Sequence, residues 1–513
     1  MPDEKSRSGA ADWSERLEDL ERRRGFARGM GGEEKLARRR AAGRLDARAR
    51  IETLLDEGSF LELGTLVGGV GDSGAAPIPA DALVAGMGRV EGRPVLVGAE
   101  DFTVLGGSIG PGASDKRTRL AQWAAQERVP LVMLLEGAGH RLTNALRPRG
   151  RSPNDLQALA ELSGIVPTVS VVLGPSAGHG ALTAPLSDFC VMVEGAALFT
   201  AGPPLVEAAL GQKVTKEELG GTLVQVDASG VAHNRAASDE DALVLVRHYL
   251  SHFPSNAWQA PPTSAGGDAG PRRLDAILDL LPVDDRRPYP MRELIRLVCD
   301  AGSVLEIQPD HGSALVTCLA FLGGQSVAVV ANDPSVRGGS VDVDAALKGS
   351  HFIEVVGAFQ LPVIFLADNP GVMAGTAAER AGVLRAAARM FAAQHRLRSP
   401  KFSVTLRKAF GFGSSLMAMN PFDHQTLSIA LPGATLGAMP AASGGAAAKL
   451  GADDQQAVEA AEMGGSYAIA SGMAFDEIID PRDLRDVLLR GLELASARQQ
   501  GPFEPVARFG TLP

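Results

Sequence analysis

Asp101-Phe-Thr-Val-Leu-Gly-Gly-Ser108 returns 232 residues downstream as Asp333-Pro-Ser-Val-Arg-Gly-Gly-Ser340. Outward from this pair the register holds without a gap from Gly92 on Gly324 to Gly139 on Gly371. Val95, Val97 and Ala99 fall on Val327, Val329 and Ala331; Lys116 falls on Lys348, Pro130 on Pro362 and Leu134 on Leu366. One further residue of offset aligns Pro167, Ser170, Val171 and Leu173 with Pro400, Ser403, Val404 and Leu406, and Gly178 and Gly180 with Gly411 and Gly413. Similarity that keeps register over this length is an internal repeat, so one half predicts the other.

Each half spells the same series. A strand pair (Val84–Asp101; Thr317–Asp333, turning at Gly323-Gly324) leads through the Gly-Gly-Ser loop into a helix near 114–128 or 345–360. A short apolar strand follows (Pro130–Leu135; Pro362–Ala367), then a second helix, then a strand (Val166–Leu173; Lys401–Leu406) that runs into glycine. Apolar runs alternating with helices predict α/β layers. Residues 12–57 predict a helical arm. Its arginine-rich stretch Leu36–Leu55 reads either as a solvated face or as a docking arm for a phosphate-bearing ligand or a partner. The Pro/Gly/Ser-rich stretch Ser255–Pro271 reads as a linker. The expected division is an arm over 1–57 and two domains over 58–260 and 272–513.

The chain of 513 residues is 45% hydrophobic and 21% charged, which fits a globular protein whose core needs no covalent staples. A net charge of −10 argues against a general nucleic-acid binder. Three cysteines, Cys190, Cys299 and Cys318, exclude a disulfide framework and a four-cysteine zinc site and suit a reducing cytoplasm. Apolar runs such as Val129–Leu135 fall far short of the roughly 18 residues of a membrane span. The opening Asp3-Glu4-Lys5 is unlike a secretory signal. The expectation is a cytoplasmic protein with no nucleic-acid or membrane partner. Glycine is the outlier: there are 60, where average usage gives about 36.

Ligands of open α/β layers sit beyond the carboxyl ends of the strands, and both halves place glycine there. The first pair of loops is Glu136-Gly-Ala-Gly139-His140-Arg141 and Asp368-Asn-Pro-Gly371. The second is Gly174-Pro-Ser-Ala-Gly178-His179-Gly180 and Lys408-Ala-Phe-Gly411-Phe-Gly413-Ser414. Such turns expose main-chain N–H groups that can bind an oxyanion, and two related holes suit chemistry with two developing anions. The plainer alternative is that the glycines only permit close packing of helix on strand. Gly174–Gly178 spells GxSxG, but so does Gly106–Gly110, and Ala409 stands opposite Ser176, so a serine hydrolase is disfavoured. Gly69–Gly74 spells GxGxxG, but Pro77 and Pro79 follow at once, which makes it a loop. His248 and His252 are four apart without HExxH or a third ligand; a solvated helix end is the better reading, and no metal is expected.

With the repeat and its loops in place, the chain resembles the carboxyltransferase (β) subunits of biotin-dependent acyl-CoA carboxylases, the propionyl-CoA and methylcrotonyl-CoA types above all. The resemblance covers about residues 33–500. It is carried by Gly43-Arg-Leu-Asp-Ala-Arg-Ala-Arg-Ile51 with Leu54–Phe60, Asp101–Ser108, Gly164-Ile-Val-Pro167, Gly174–Gly178 with Asp188-Phe189, and Thr215–Gly221. Ser229–His233, Lys348-Gly349, Pro370-Gly371 with Gly375-Thr376, Arg407–Gly411 and Ile479-Asp-Pro481 complete it.

The resemblance implies tandem crotonase-like (ββα spiral) domains behind the helical arm. It also implies a homohexamer with its active site between the N-terminal domain of one protomer and the C-terminal domain of another. By motif position, the amides of Gly178 and His179 would hold the acyl-CoA thioester oxygen as an enolate. Those of Phe412 and Gly413, beside Gly371, would hold the biotin ureido oxygen. Gly137, Ala138, Gly139, His140, Arg141, Ser414 and Ser415 would line the substrate. In the implied reaction, carboxybiotin loses CO2, the biotin anion takes the α-proton, and the enolate attacks CO2, so no side-chain base is needed. The sequence has neither a Met-Lys-Met biotinylation site nor a P-loop, so biotin carboxylase and biotin carrier are expected on a partner subunit.

The chain departs from the family's pattern at the loops themselves. The family reads Asp-Ser-Gly-Gly-Ala-Arg where Glu136–Arg141 stands, Ala-Gly-Gly-Ala at Ala177–Gly180, and Tyr-Gly-Gly-Ala-Tyr at Phe410–Ser414. After the Pro-Gly loop, Ala378-Glu379 and Arg385-Ala-Ala replace Gln-Glu and Arg-His-Gly. A main-chain amide survives a side-chain change, but His179 sets an imidazole beside the enolate site and Phe412 alters the biotin pocket. Two further readings therefore stand beside the first. One is a biotin-independent acyl-CoA decarboxylase or acyl transferase using His179 or His140; the other is a non-catalytic assembly subunit. His140 and His179 could equally do no more than reshape the acyl pocket.

Overall fold

The computed structural model describes residues 4–69, 76–146, 154–264, 266, 268 and 270–506. The chain divides into two compact units, Met1–Gln225 with Arg235–Arg247, and Val226–Asn234 with His248–Pro513. The first holds strands β1 (Leu61–Leu63), β2 (Leu83–Val90), β3 (Arg93–Glu100), β4 (Leu131–Leu135), β5 (Thr168–Val172), β6 (Pro175–Ala177), β7 (Phe189–Val193), β8 (Ala197–Phe199) and β9 (Asn234–Ala236). Its main sheet runs β1-β2-β3-β4-β5-β7-β9, with β6 and β8 paired apart. The β1–β2 and β2–β3 pairs are antiparallel; β3, β4, β5 and β7 are parallel.

The second unit repeats the plan. Its strands are β10 (Leu305–Ile307), β11 (Leu315–Leu322), β12 (Gln325–Asn332), β13 (Val363–Asn369), β14 (Lys401–Phe410), β15 (Leu427–Ala430), β16 (Thr435–Gly437) and β17 (Glu477–Ile478). The sheet order is β10-β11-β12-β13-β14-β15-β17, and β16 pairs with β14. Strand pair, crossover helix (Pro111–Glu127; Val343–Ala358) and parallel strand recur in the same order, so each unit is a ββα spiral of the crotonase type.

The repeat in sequence becomes a repeat in backbone. The β2–β3 hairpin turns on Glu91 and Gly92 (φ 51° and 77°), and the β11–β12 hairpin on Gly323 and Gly324 (φ 63° and 75°). Two left-handed residues in a two-residue loop suit the twist of the flanking strands. The Gly-Gly-Ser loops are required by close approach. A Cβ on Gly107 would lie 2.3 Å from the Glu136 carbonyl oxygen, and one on Gly339 would lie 2.3 Å from that of Asp368. Lys116 and Lys348, equivalent in sequence, are both buried. Lys116 donates to the carbonyls of Ala80 and Leu83, and Lys348 to those of Gln308, His311 and Leu315. Each lysine thus ties its crossover helix to the first residue of the strand pair. The parallel strands are apolar on both faces; Val97, Val132, Leu134, Val171 and their counterparts Val329, Ile364, Leu366 and Val404 are all buried.

The arm is three helices, Glu4–Arg28, Glu33–Ala41 and Ala47–Leu54. The arginine-rich stretch breaks where Asp46 caps the third helix by accepting from Arg48 and Ala49. Neither expectation for those arginines describes Arg39, Arg44, Arg48 or Arg50, because all four pair inside the first unit. Arg39 and Arg50 both reach Glu136, Arg50 and Arg44 reach Asp239, and Arg48 grips Glu62 with both nitrogens. Arg38 and Arg40 are the solvated ones, paired to Glu34 and Glu33. His252 is likewise not solvated: it is buried in the second unit, stacked on Phe321 at 4.6 Å, and burial lowers its pKa to about 3. Within the expected linker, Thr263 makes an isolated bridge to Gln325, the first residue of β12. The GxGxxG stretch lies largely outside the described residues. Among the described residues, no helix is long and apolar enough to cross a membrane.

Candidate active site

In the first unit β6 ends at Ala177, and Gly178, at φ 60°, turns the chain into the short helix Gly178–Ala181. The loop after β4 braces this turn. Ala177 N–H donates to the Gly137 carbonyl (3.0 Å), and a Cβ on Gly139 would lie 2.7 Å from the Ala177 carbonyl oxygen. Ile109 holds the same loop from its other side, donating to Gly139 O (2.8 Å) and accepting from Arg141 N–H (2.9 Å). Ala138 N–H is spent on Gly106 O. Opening residues of a helical turn have no acceptor within it. The N–H groups of Gly178 and His179 stand in that opening position. They are the two donors the motif position singled out.

Behind the turn runs a chain of buried polar groups. His179 stacks on His140 with ring centroids 4.2 Å apart and 25° between the planes. Its Nε2 meets Asp155 Oδ1 at 2.5 Å. Arg117 Nε donates to the other Asp155 oxygen, and Arg117 also bonds Glu100 and Thr183. Glu100 accepts from Glu136 N–H at 2.9 Å. Burial pushes the Asp155 carboxyl up, but the bonds from His179 and Arg117 outweigh it and hold the pKa at about 2. Glu100 goes the other way, raised by burial. Burial, and then the neighbouring His179, lowers the pKa of His140.

In the second unit β14 ends at Phe410, and Gly411, at φ 55°, begins the helix Gly411–Leu416. Phe412 takes the place of His179. The residue is 42% exposed, and its ring lies 5.6 Å from that of Phe391, which stacks on His395; His395 in turn meets Asp423 at 2.7 Å. Phe412 and Gly413 belong to the opening turn of this helix, whose first N–H groups have no acceptor within a regular α-helix. Gly413 fits only as glycine, because a Cβ would lie 2.3 Å from Asn369 Oδ1 and 2.7 Å from Gly371 Cα. Gly371 is wall and not donor: its N–H goes to Asn369 Oδ1 (3.0 Å) and its carbonyl accepts from Val341 (3.2 Å). Ser414 Oγ turns back to the Gly411 carbonyl, and the Ser415 carbonyl accepts from Ala418 N–H.

The structure brings Gly137, Ala138, Gly139 and His140 to the Gly178–His179 turn. Arg141 belongs to the same loop, but its guanidinium points inward, bonded to Asp81 (2.7 Å) and to Ser108. Ser176 is buried, and no base among the described residues bonds its hydroxyl. The three thiols are buried, with those of Cys190 and Cys299 pushed up to about 12 by burial. Among the described residues no cluster could hold a metal ion. Sequence reasoning missed Asp155, Arg117, Glu100 and Asp81, which have no local motif and act only through contacts that the fold makes.

A model of the carboxyl transferase domain matches residues 38–509, nearly the whole chain. The propionyl-CoA carboxylase carboxyltransferase subunit of Haloferax mediterranei is 31% identical, over 97% of this chain and 99% of that one. The methylmalonyl-CoA carboxyltransferase 12S subunit of Propionibacterium freudenreichii subsp. shermanii is 32% identical over 97% of each. A solved transcarboxylase 12S structure, a hexamer with methylmalonyl-CoA and methylmalonic acid bound, superposes with a TM-score of 0.88 at 30% identity, covering 98% of this chain and 99% of that one. The chain belongs to the carboxyl transferase domain family, and its fold is that of the carboxyltransferase subunits of biotin-dependent acyl-CoA carboxylases.

Proposed function

We propose that this chain moves a carboxyl group between biotin, carried on a partner subunit, and the α-carbon or γ-carbon of an acyl-CoA. The observation that carries the reading is the match to the family over residues 38–509, with a glycine turn at Gly178 and His179 that opens a helix. A thioester oxygen bound there would gain negative charge as the α-proton leaves, and fixed donors stabilise that charge at no reorganisation cost. Each such donor in a working hole contributes about 3 kcal/mol to lowering the barrier.

Phe412 and Gly413, in the equivalent turn of the second unit, would supply the matching donors. A ureido oxygen is an acceptor only, and two N–H groups beside a flat aromatic wall suit it. When bound, carboxybiotin supplies the carboxyl group and the base for the α-proton. The protein's part is to hold two oxyanions. That agrees with the inert thiols and the unassisted Ser176.

The same reading takes Gly137, Ala138, Gly139 and His140 as acyl-CoA wall, keeps Ser414 and Ser415 as substrate-lining residues, and takes Arg141 as a residue that positions its loop. It places the protein in the cytoplasm as a homohexamer, with an arm over 1–57 and domains over 58–260 and 272–513. The test is transfer of a radiolabelled carboxyl group from a charged biotinyl carrier to a panel of acyl-CoA esters. Acyl-CoA-dependent transfer is expected. Label that stays on the carrier with every ester would overturn the reading.

A further inference from the structure

We propose that the stacked imidazoles of His140 and His179 form a polar wall of the acyl pocket, selecting acyl chains that carry a hydrogen-bonding oxygen (hydroxyl, oxo or carboxylate) over plain aliphatic chains. The inference rests on the thioester reading of the Gly178 turn and adds to it the chemical class of the acyl group.

The two rings are held, not loosely placed. His179 is pinned through Nε2 to Asp155, whose carboxylate is fixed in turn by Arg117. His140 follows Gly139, which lies against the Ala177 carbonyl and cannot retreat from the turn, and Ile109 brackets His140 on both sides. The 4.2 Å stack therefore sits next to the amides that would hold the thioester oxygen. His140 is exposed, so an acyl chain leaving that oxygen along the stack would pass its ring.

The two imidazoles differ in what they still need. His179 has a carboxylate partner. Among the described residues, the ring nitrogens of His140 have no protein hydrogen-bond partner, so water satisfies them in the free protein. A bound acyl chain displaces that water. An aliphatic chain leaves a desolvated, unpaired donor or acceptor, whereas a chain with an oxygen at that depth replaces the lost bond. Sites built to bond a substrate oxygen discriminate strongly against the analogue that lacks it. The family's pattern places Ala and Gly at these two positions, so the wall is particular to this chain.

The test is calorimetric binding of CoA, butyryl-CoA and the similarly sized 3-hydroxypropionyl-CoA to the full-length protein and to His140→Phe and His140→Asn variants. The wild type is expected to bind the hydroxyacyl ester about tenfold more tightly than butyryl-CoA. His140→Phe keeps a stacked ring without polar edges and is expected to erase the preference; His140→Asn is expected to retain part of it. CoA itself should bind all three proteins alike, which reports that each is folded. Equal affinity of the wild type for the two esters, or a preference that survives in His140→Phe, would overturn the inference while leaving the thioester reading in place. Failure of the wild type to bind CoA would overturn both.

Discussion

Gly178 and Gly413 are both turn glycines, yet their surroundings make different demands. At Gly178 the backbone is left-handed and the nearest atom to an added Cβ is 3.6 Å away, so alanine meets only conformational strain of about 1–2 kcal/mol. At Gly413 the added methyl collides with Asn369 and Gly371, so Gly413→Ala is expected to cost about 3 kcal/mol, the upper range for overpacking. Urea unfolding of the two variants would rank them; equal losses would contradict the close approach at Gly413. Asp155 gives a pH signature. Its folded pKa of about 2 lies below the ordinary 3.8, so its stabilising effect is full above 3.8 and is lost as pH falls towards 2. The effect is of order 2 kcal/mol. The stability gap between wild type and Asp155→Asn should therefore close over that window. A gap that stays constant with pH would show that the His179–Asp155–Arg117 bonds are not formed in solution.

The arm and the crossover helices illustrate what elements can and cannot announce. Strand pairs, the Gly-Gly-Ser loops and both crossover helices were legible because apolar alternation, glycine position and an internal repeat all agreed on them. The equivalent residues Leu105 and Arg337 even share the left-handed conformation, at φ 49° and 51°. The arginines of the arm were misread because periodicity says nothing about partners 97 or 189 residues away, where Glu136 and Asp239 wait for Arg39 and Arg50. Arg50 is 1% exposed and serves both acids. Removing one partner of a buried ionic cluster leaves charge uncompensated, so Arg50→Ala is expected to lose about 3–5 kcal/mol in urea unfolding. A loss below about 1 kcal/mol would return the arm to a solvated role. Because Glu136 opens the loop that braces the Gly178 turn, the arm's arginines also anchor that loop.

At the scale of the molecule, one spiral is used twice with different furnishing. The left-handed glycines Gly178 and Gly411 are equivalent, and the residue after each is the point of difference: His179, stacked on His140, in the first unit and Phe412, beside Phe391, in the second. Both depart from the family's second glycine, and a backbone amide does not depend on its side chain, so the change by itself removes no main-chain donor. The sequence showed where the two glycine turns lie, but not the buried Asp155–Arg117–Glu100 chain that stands behind one of them. The most direct measurement is the position of a thioester oxygen in an experimentally determined structure with an acyl-CoA bound. The account expects that oxygen about 2.7–3.1 Å from the amide nitrogens of both Gly178 and His179. A thioester bound elsewhere, with those two amides facing water, would contradict it.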